Sequence, residues 1–361
     1  MDFGLSQDQQ MLRDAVARCL QDTCPLDHVR ECAAADKASD PVMRALNDLG
    51  LPGMLVPEAH GGLGMTLLDA AVVAEQLGHA VAPAPFLASH VLAPIALRDA
   101  GSEEQKARWL PKIARGETRI GVAISHTIER RDRSCVSSEA GKLKGSALLC
   151  LDFDADCYIV ADAEGRLNLV HAEAAGLEII RLTTIDRTRC VGELRFDRTD
   201  AEPLAEDGGK TTARLRDAGR TMLAADSLGA AEAMIQKAVE YAGEREQFGR
   251  LIGSFQAVKH MCAEMAARHE PCRSLVWYAA HAFDAVPHEA SLVACHAKSH
   301  TGEVHRFVAR TSTEVHGGMG FTDLLGLHFW FKRIGFDRQV LGGPEKIRAE
   351  AAEMQGWVKA A

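Results

Sequence analysis

Between residues 245 and 256 the chain reads Arg245-Glu-Gln-Phe-Gly-Arg-Leu-Ile-Gly-Ser-Phe-Gln256. Two arginines, two glutamines and two glycines fall inside what is otherwise a long helical pattern. An interior glycine costs a helix about 1 kcal/mol relative to alanine, so such a break is expected where a ligand comes close to the backbone. A guanidinium beside carboxamides suits phosphate and ribose oxygens. The chemistry is that of a phosphate-bearing ligand; a break made only for packing is the competing explanation. A second glycine-rich stretch, Glu314-Val-His316-Gly317-Gly318-Met-Gly320-Phe321, follows later. On its own it is equally a helix C-cap turn. His296 and His300 share a helical face at metal-ligand spacing. No third ligand is evident and Lys298 lies between them, so no metal is expected. Arg130-Arg131-Asp132-Arg133 suits a solvated loop or a contact to a ligand phosphate.

Positioning these groups falls to long helices. Ala213 to Arg250, Ser254 to Phe283, Glu289 to His316 and Pro344 to Val358 are amphipathic and joined by little loop. Four antiparallel helices are the simplest packing. Pro271 either kinks the second or divides it. The N-terminal part is helical as well. Leu12, Val16 and Leu20 share a face, Leu49-Gly50 is a glycine stop, and Ser102 followed by Glu103 and Glu104 predicts a capped helix running to Ile113. The glycine-rich Val56 to Gly64 has no strand before it and no Gly-Lys-Ser/Thr after it, so a phosphate cradle is not expected there. From residue 119 the pattern changes to short strand-like runs: 119–125, 142–145, 148–151, 157–160, 167–170, 177–180 and 192–196. That spacing predicts a small β-barrel or sandwich. The expected class is α+β, with an N-terminal all-α domain (1–118), a middle β domain (119–208) and a C-terminal four-helix bundle (209–361).

Composition narrows the partners. A net charge of -9 without a basic stripe argues against nucleic acid. No apolar run approaches the ~20 residues of a membrane span. Ten scattered cysteines without a Cys-x-x-Cys pair, and no basic-then-apolar leader, predict free thiols in the cytoplasm.

The stretch Arg-x-Gln-Phe-Gly-x-x-Ile-x-x-Phe-Gln resembles the flavin-contacting signature of the acyl-CoA dehydrogenase family. The resemblance extends to residues 49–64, to Ala74-Glu-Gln-Leu-Gly78, to Gly101-Ser-Glu-Glu-Gln-Lys106 with Trp109-Leu-Pro111, and to the Gly317-Gly318-Met-Gly320 loop. It implies FAD as cofactor, an acyl-CoA thioester as substrate and electron-transferring flavoprotein as acceptor. It implies FAD contacts for Arg245, Gln247, Phe248, Gln256, His316, Gly317, Gly318 and Gly320, with the glutamine usual at the head of the glycine loop replaced by Thr313 or Glu314. It also makes Val56 to Gly64 a turn framing the acyl pocket. The family's chemistry needs a carboxylate base over the α carbon, hydrogen bonds to the thioester carbonyl and a desolvated flavin.

Against that pattern the chain is incomplete. Leu341 stands where most of the family has the glutamate base. Gly219, before Arg220, stands where a minority has it. Asp217 is a weak substitute, because i and i+2 do not share a helical face, and Glu345 suits a helix N-terminus after Pro344. The family's Thr-Glu-Pro-x-x-Gly-Ser-Asp is replaced by Ala123-Ile-Ser-His126-Thr-Ile-Glu, and its ring-flanking tryptophan by Leu149, leaving Ser125 and Asp152 as turn or strand-end polar groups. In the family, the bundle of one subunit holds the dinucleotide end of a flavin whose ring lies in its neighbour. The resemblance therefore implies a non-catalytic subunit of a heterotetramer acting on bulky thioesters such as steroid side-chain intermediates, with a sister chain supplying the base. A self-sufficient enzyme with a displaced base, or a flavin-free scaffold, are the alternatives.

Overall fold

Capping decides where the N-terminal helices begin. Ser102 Oγ accepts the Gln105 N–H at 3.1 Å, and the Gln105 carboxamide accepts the Ser102 N–H at 2.8 Å, a reciprocal pair that satisfies two orphan donors. In this computed structural model, which describes residues 4–128, 135–205 and 207–358, the N-terminal helices are α1 (Gln7–Thr23), α2 (Leu26–Ala35), α3 (Asp40–Asp48), α4 (Leu67–His79), α5 (Ala93–Ala100) and α6 (Glu103–Ala114). A π-helical turn, Leu87–Leu92, leads into α5. The Arg130 to Arg133 cluster lies outside the described residues.

The middle region is one mixed sheet: β1 (Ile120–Ala123), a short α7 (Ser125–Ile128), β2 (Val136–Glu139), β3 (Lys142–Leu151), β4 (Cys157–Ala161), β5 (Leu167–His171), β6 (Leu177–Arg181), β7 (Val191–Asp200) and β8 (Glu202–Pro203). Its order is β6-β7-β3-β1-β4-β5-β8, with β2 on β3, and only β1 and β4 run parallel. The two runs expected at 142–145 and 148–151 are a single strand interrupted by a bulge opposite β7. Alternation puts Cys157, Ile159 and Ala161 against the helices, while Tyr158 and Val160 join the sheet's own apolar core with Leu143, Leu194 and Phe196.

The C-terminal region comprises α8 (Lys210–Glu244), a hairpin β9 (Glu246–Gln247) and β10 (Arg250–Leu251), α9 (Gln256–Ala285), α10 (Pro287–His316), α11 (Leu327–Gln339) and α12 (Pro344–Met354). α9 continues through Pro271 as one helix. α11 was not expected from the pattern; it packs on both α8 and α10, while α12 packs on α10. α8 also crosses α4 at van der Waals distance. A methyl on Gly229 would fall 1.7 Å from the Glu75 carbonyl oxygen, and one on Gly78 1.9 Å from that of Asp226. Two glycines, one on each helix, therefore let the backbones touch. The sheet is tied in by buried Arg333, which donates to Asp186 at 2.7 Å and pairs with Asp226 at 3.3 Å. Burial and the neighbouring Asp226 push Asp337, in the same cluster, well above the usual carboxylate range.

Candidate functional site

α8 ends where Arg245 turns extended while its N–H still bonds the Tyr241 carbonyl. The glycine-interrupted stretch that follows is not helical. Gln247 pairs with Arg250 and Glu246 with Leu251 across a two-residue turn. Phe248 and Gly249 both have positive φ, 54° and 72°, the geometry of a type I′ hairpin. Gly249 adopts it freely; Phe248 does so against its own Cβ. The Phe248 side chain stands 93% exposed at the tip, edge-on to Phe255, over which the Arg250 guanidinium sits at 3.9 Å. Gly253, in the helical turn after β10, lets the chain pass α8, since a methyl there would lie 2.7 Å from the Ala242 carbonyl oxygen.

The opposite wall is the end of α10. His316 stacks on Tyr241 with ring centroids 4.7 Å apart, and its Nδ1–H donates to the Ser312 carbonyl at 2.7 Å. Burial lowers its pKa. Gly320 is needed for packing, because a methyl would lie 2.5 Å from the Thr313 carbonyl oxygen, whereas Gly317 and Gly318 face open space. Hairpin and loop enclose a cleft of about 690 Å³. Arg245, Gln247, Phe248, His316, Gly317 and Gly318 line it; Gln256 and Gly320 do not. Tyr241, Phe255 and Met319 line it as well. Tyr241 could have been found from its place one turn before Arg245 on the same face.

The positions where a base was sought lie toward the other end of α8. Leu341 is 2% exposed and φ is 59°. Its Cδ1 occupies the space a side chain at Gly219 would need, since a methyl there would lie 2.4 Å away. The two positions are one contact, leucine on glycine. Arg220 clamps it from behind, donating to the Leu341 carbonyl at 2.9 Å and pairing with Glu350 at 2.7 Å. What remains is a cavity of about 40 Å³ lined by Ser125, His126, Leu148, Leu149, Gln339, Val340, Leu341 and Gly342. Two of its polar atoms are engaged: Ser125 Oγ donates to the Leu149 carbonyl and His126 Nε2 to that of Ala161.

The remaining candidates have other placements. Asp217 faces α10 and accepts from Ser291; burial raises its pKa, but it does not line the cavity. Glu345 is exposed beside Arg338. Asp152 accepts the N–H groups of Ala88 and Ser89 at 2.7 and 3.1 Å and so caps the π-helical turn, with burial pushing its carboxyl up to about 6. Gly62 packs on its own loop, where a methyl would fall 2.1 Å from the Val56 carbonyl oxygen. Among the described residues no His/Cys/Asp/Glu group could hold a metal, and no helix is long and apolar enough to cross a membrane.

The N-terminal domain of acyl-CoA dehydrogenases matches residues 6–117, and the C-terminal domain matches residues 207–354. Acyl-CoA dehydrogenase IpdE2 of Mycobacterium tuberculosis is 31% identical, over 94% of this chain and 95% of that protein. This chain belongs to the acyl-CoA dehydrogenase family. Among solved structures, the ChsE4-ChsE5 complex from Mycobacterium tuberculosis superposes with a TM-score of 0.90 at 27% identity, covering 100% of both chains. The steroid ACAD Tcur3481-Tcur3483 superposes with 0.88 at 27% identity, over 97% of this chain and 98% of that one. Acyl-CoA dehydrogenases are FAD-dependent oxidoreductases acting on acyl-CoA. The chemistry and size of the cleft suit the dinucleotide end of FAD: a cation, a carboxamide, aromatic faces and glycine backbone open to close approach. The 40 Å³ cavity, with room for little more than water, does not fit a tricyclic ring.

Proposed function

We propose that this chain is the non-catalytic subunit of a heteromeric acyl-CoA dehydrogenase, contributing the dinucleotide half of an FAD site to a catalytic partner. The observation that carries this is the contrast along α8. Gly219 and Tyr241, separated at about 1.5 Å per residue, stand about 33 Å apart. One end is an open cleft and the other a cavity closed by Leu341. A single extended FAD is too short to reach from one to the other within a chain, so the cleft serves a ring held elsewhere.

Arg245 and Gln247 would hold the phosphate and ribose oxygens, Phe248 and Phe255 would cover an apolar face, and Gly317 and Gly318 would let the ligand lie against backbone. When bound, the flavin supplies the hydride acceptor. Among the described residues no carboxylate lines the closed cavity to take the α proton, since Leu341 and Gly219 pack on each other and Asp217 points into the bundle. Base, ring site and acyl pocket belong to the partner, which forms with this chain a heterotetramer acting on a bulky acyl-CoA. A steroid side-chain thioester fits the likeness to the steroid ACAD. Electron-transferring flavoprotein is the proposed acceptor and the cytoplasm the proposed compartment.

The test is to purify the chain alone and together with an acyl-CoA dehydrogenase chain of the same genome that carries the glutamate and the Thr-Glu-Pro-x-x-Gly-Ser-Asp segment. Flavin absorbance and mass are then recorded. The expected result is flavin only in the mixed complex, about one per heterodimer, with Arg245→Ala here weakening FAD about 10- to 100-fold, the worth of a charge-assisted contact. Desaturation by this chain alone would overturn the proposal.

A further inference from the structure

Leu341 is held from outside the cavity it fills. Leu341 and Gly342 follow one another at positive φ, 59° and 107°, and α12 begins at Pro344. The Leu341 carbonyl is bound by Arg220 Nε at 2.9 Å, while Nη1 of the same guanidinium pairs with Glu350 of α12 at 2.7 Å. Arg220 is fully buried, so losing a carboxylate that neutralises it costs far more than losing a surface partner. The wall of the cavity also touches α12 directly. A methyl on Gly342 would meet Ile347 at 3.2 Å and Arg220 Nη2 at 3.3 Å. Lys346 Nζ donates to the Ile128 carbonyl, at the end of the α7 turn whose Ser125 and His126 line the cavity. Yet α12 has little apolar hold of its own. Ile347 and Ala351 pack with Cys295 and Leu292 in a small cluster apart from the main core.

We infer that α12 is a latch on the closed cavity. Arg220 makes the docking of α12 and the seating of Leu341 on Gly219 a single event, so lifting α12 withdraws the plug and crowding the plug lifts α12. Elements with few buried apolar contacts open locally before the whole fold does. A packed unit of this kind has discrete docked and released arrangements rather than a continuum between them. The coupling is reciprocal by linkage: the factor by which one site shifts the other returns unchanged. What the latch controls is access to Ser125, His126 and Leu149 behind Leu341.

Two thiols on the full chain report on the latch. Cys295 is buried in the cluster under α12, and Val340→Cys puts a second thiol at a buried position on the cavity wall. Alkylation by N-ethylmaleimide, mapped by mass spectrometry, is compared with and without Glu350→Gln, whose carboxamide keeps the shape and removes the charge. Both thiols should react about 10- to 100-fold faster, the worth of a charge-assisted contact, with Cys272, buried beneath α9, unchanged. Gly219→Ala, whose methyl meets Leu341 and Leu92, should speed labelling of Cys295 as well. Lys346→Ala, at an exposed position, should give a smaller rise at both thiols and serves if Glu350→Gln does not fold. Cys295 labelled while the thiol at position 340 stays protected would make α12 a fraying terminal helix and overturn the inference. Gly219→Ala without effect on Cys295 would overturn it too, as would an equal rise at Cys272, which means that the whole bundle opens. Each of these failures leaves the reading of the cleft standing, since none measures flavin.

Discussion

The two ends of α8 make an instructive pair. At its C-terminal end, backbone is held in costly conformations to keep a cleft open: Phe248 at positive φ with its ring in solvent, and a hairpin of two-residue strands. Near its N-terminal end the same kind of cost keeps a cavity shut, with Leu341 at positive φ and its side chain seated on Gly219. Backbone strain persists only where its surroundings impose it. At one end the surroundings shape a surface; at the other they fill a hole. A chain that had merely lost a catalytic group would be left with a void, and voids are destabilising. Here the void is packed.

The largest expected effect comes from forcing the closed end to resemble an active one. Leu341→Glu drives a carboxylate into the packed contact with Gly219, and should cost ~3 kcal/mol of stability without conferring desaturation on the chain alone. Activity in that variant, read as reduction of an artificial electron acceptor, would show that the cavity can open and would break the comparison.

Acid should destabilise the protein by a similar amount per group. Burial pushes His90, beside the closed end, and His269, in the bundle, down to about 4. Their folded pKa values lie below the unfolded value near 6.5, so the stability they contribute is present above pH 6.5 and is lost as pH falls through about 4. Each contributes about 3 kcal/mol. Asp152, raised by burial to about 6, acts with the opposite sign, its preference for the proton being lost as pH rises from 3.8 to 6. The histidines' contribution to the denaturant midpoint should therefore fall between pH 6.5 and 4, against the raised carboxyls of Asp152, Asp217 and Asp337. His90→Gln should flatten that slope, and an unchanged slope would exclude His90 from it.

A sharper test of the leucine-on-glycine contact is Gly219→Ala. Its methyl meets Leu341 Cδ1 and should destabilise by about 1–3 kcal/mol. Combined with Leu341→Ala, the loss should be less than the sum of the single losses, a coupling that a double-mutant cycle measures. Additive losses would mean the two residues do not compete for one space. The smallest effect is expected at the open end. Phe248→Asn relieves a left-handed aromatic residue and should stabilise the isolated chain by ~1 kcal/mol, while lowering flavin retention in the mixed complex. A destabilised Phe248→Asn chain would mean that the hairpin turn carries no strain.

Much of the fold was legible where pattern is local. Ser102 capped its helix as its neighbours predicted; at Pro271 the pattern left a kink or a division open, and α9 runs through it as one helix. The hairpin between α8 and α9 was not legible, because β9 and β10 are too short to show a two-residue alternation. α11 was missed because its sequence, Leu327 to Gln339, mixes buried aromatics with a buried arginine. Arg333 is explained by Asp186 and Asp226, which are remote in sequence. Asp152 likewise passed for a strand-end polar group until the π-helical turn it caps was in view.

What the sequence determined by itself is therefore a matter of residue type at aligned positions: the family, the presence of Arg245, Gln247, Phe248 and the Gly317-Gly318 pair, and the absence of a carboxylate at Leu341 and Gly219. Only the tertiary structure decided that the two glycine-rich stretches share one cleft, that Leu341 and Gly219 are a single contact, and that cleft and cavity lie a helix length apart. The physical reason is range. Capping, turn chemistry and helical periodicity act within a few residues, whereas close packing joins side chains without regard to their separation along the chain.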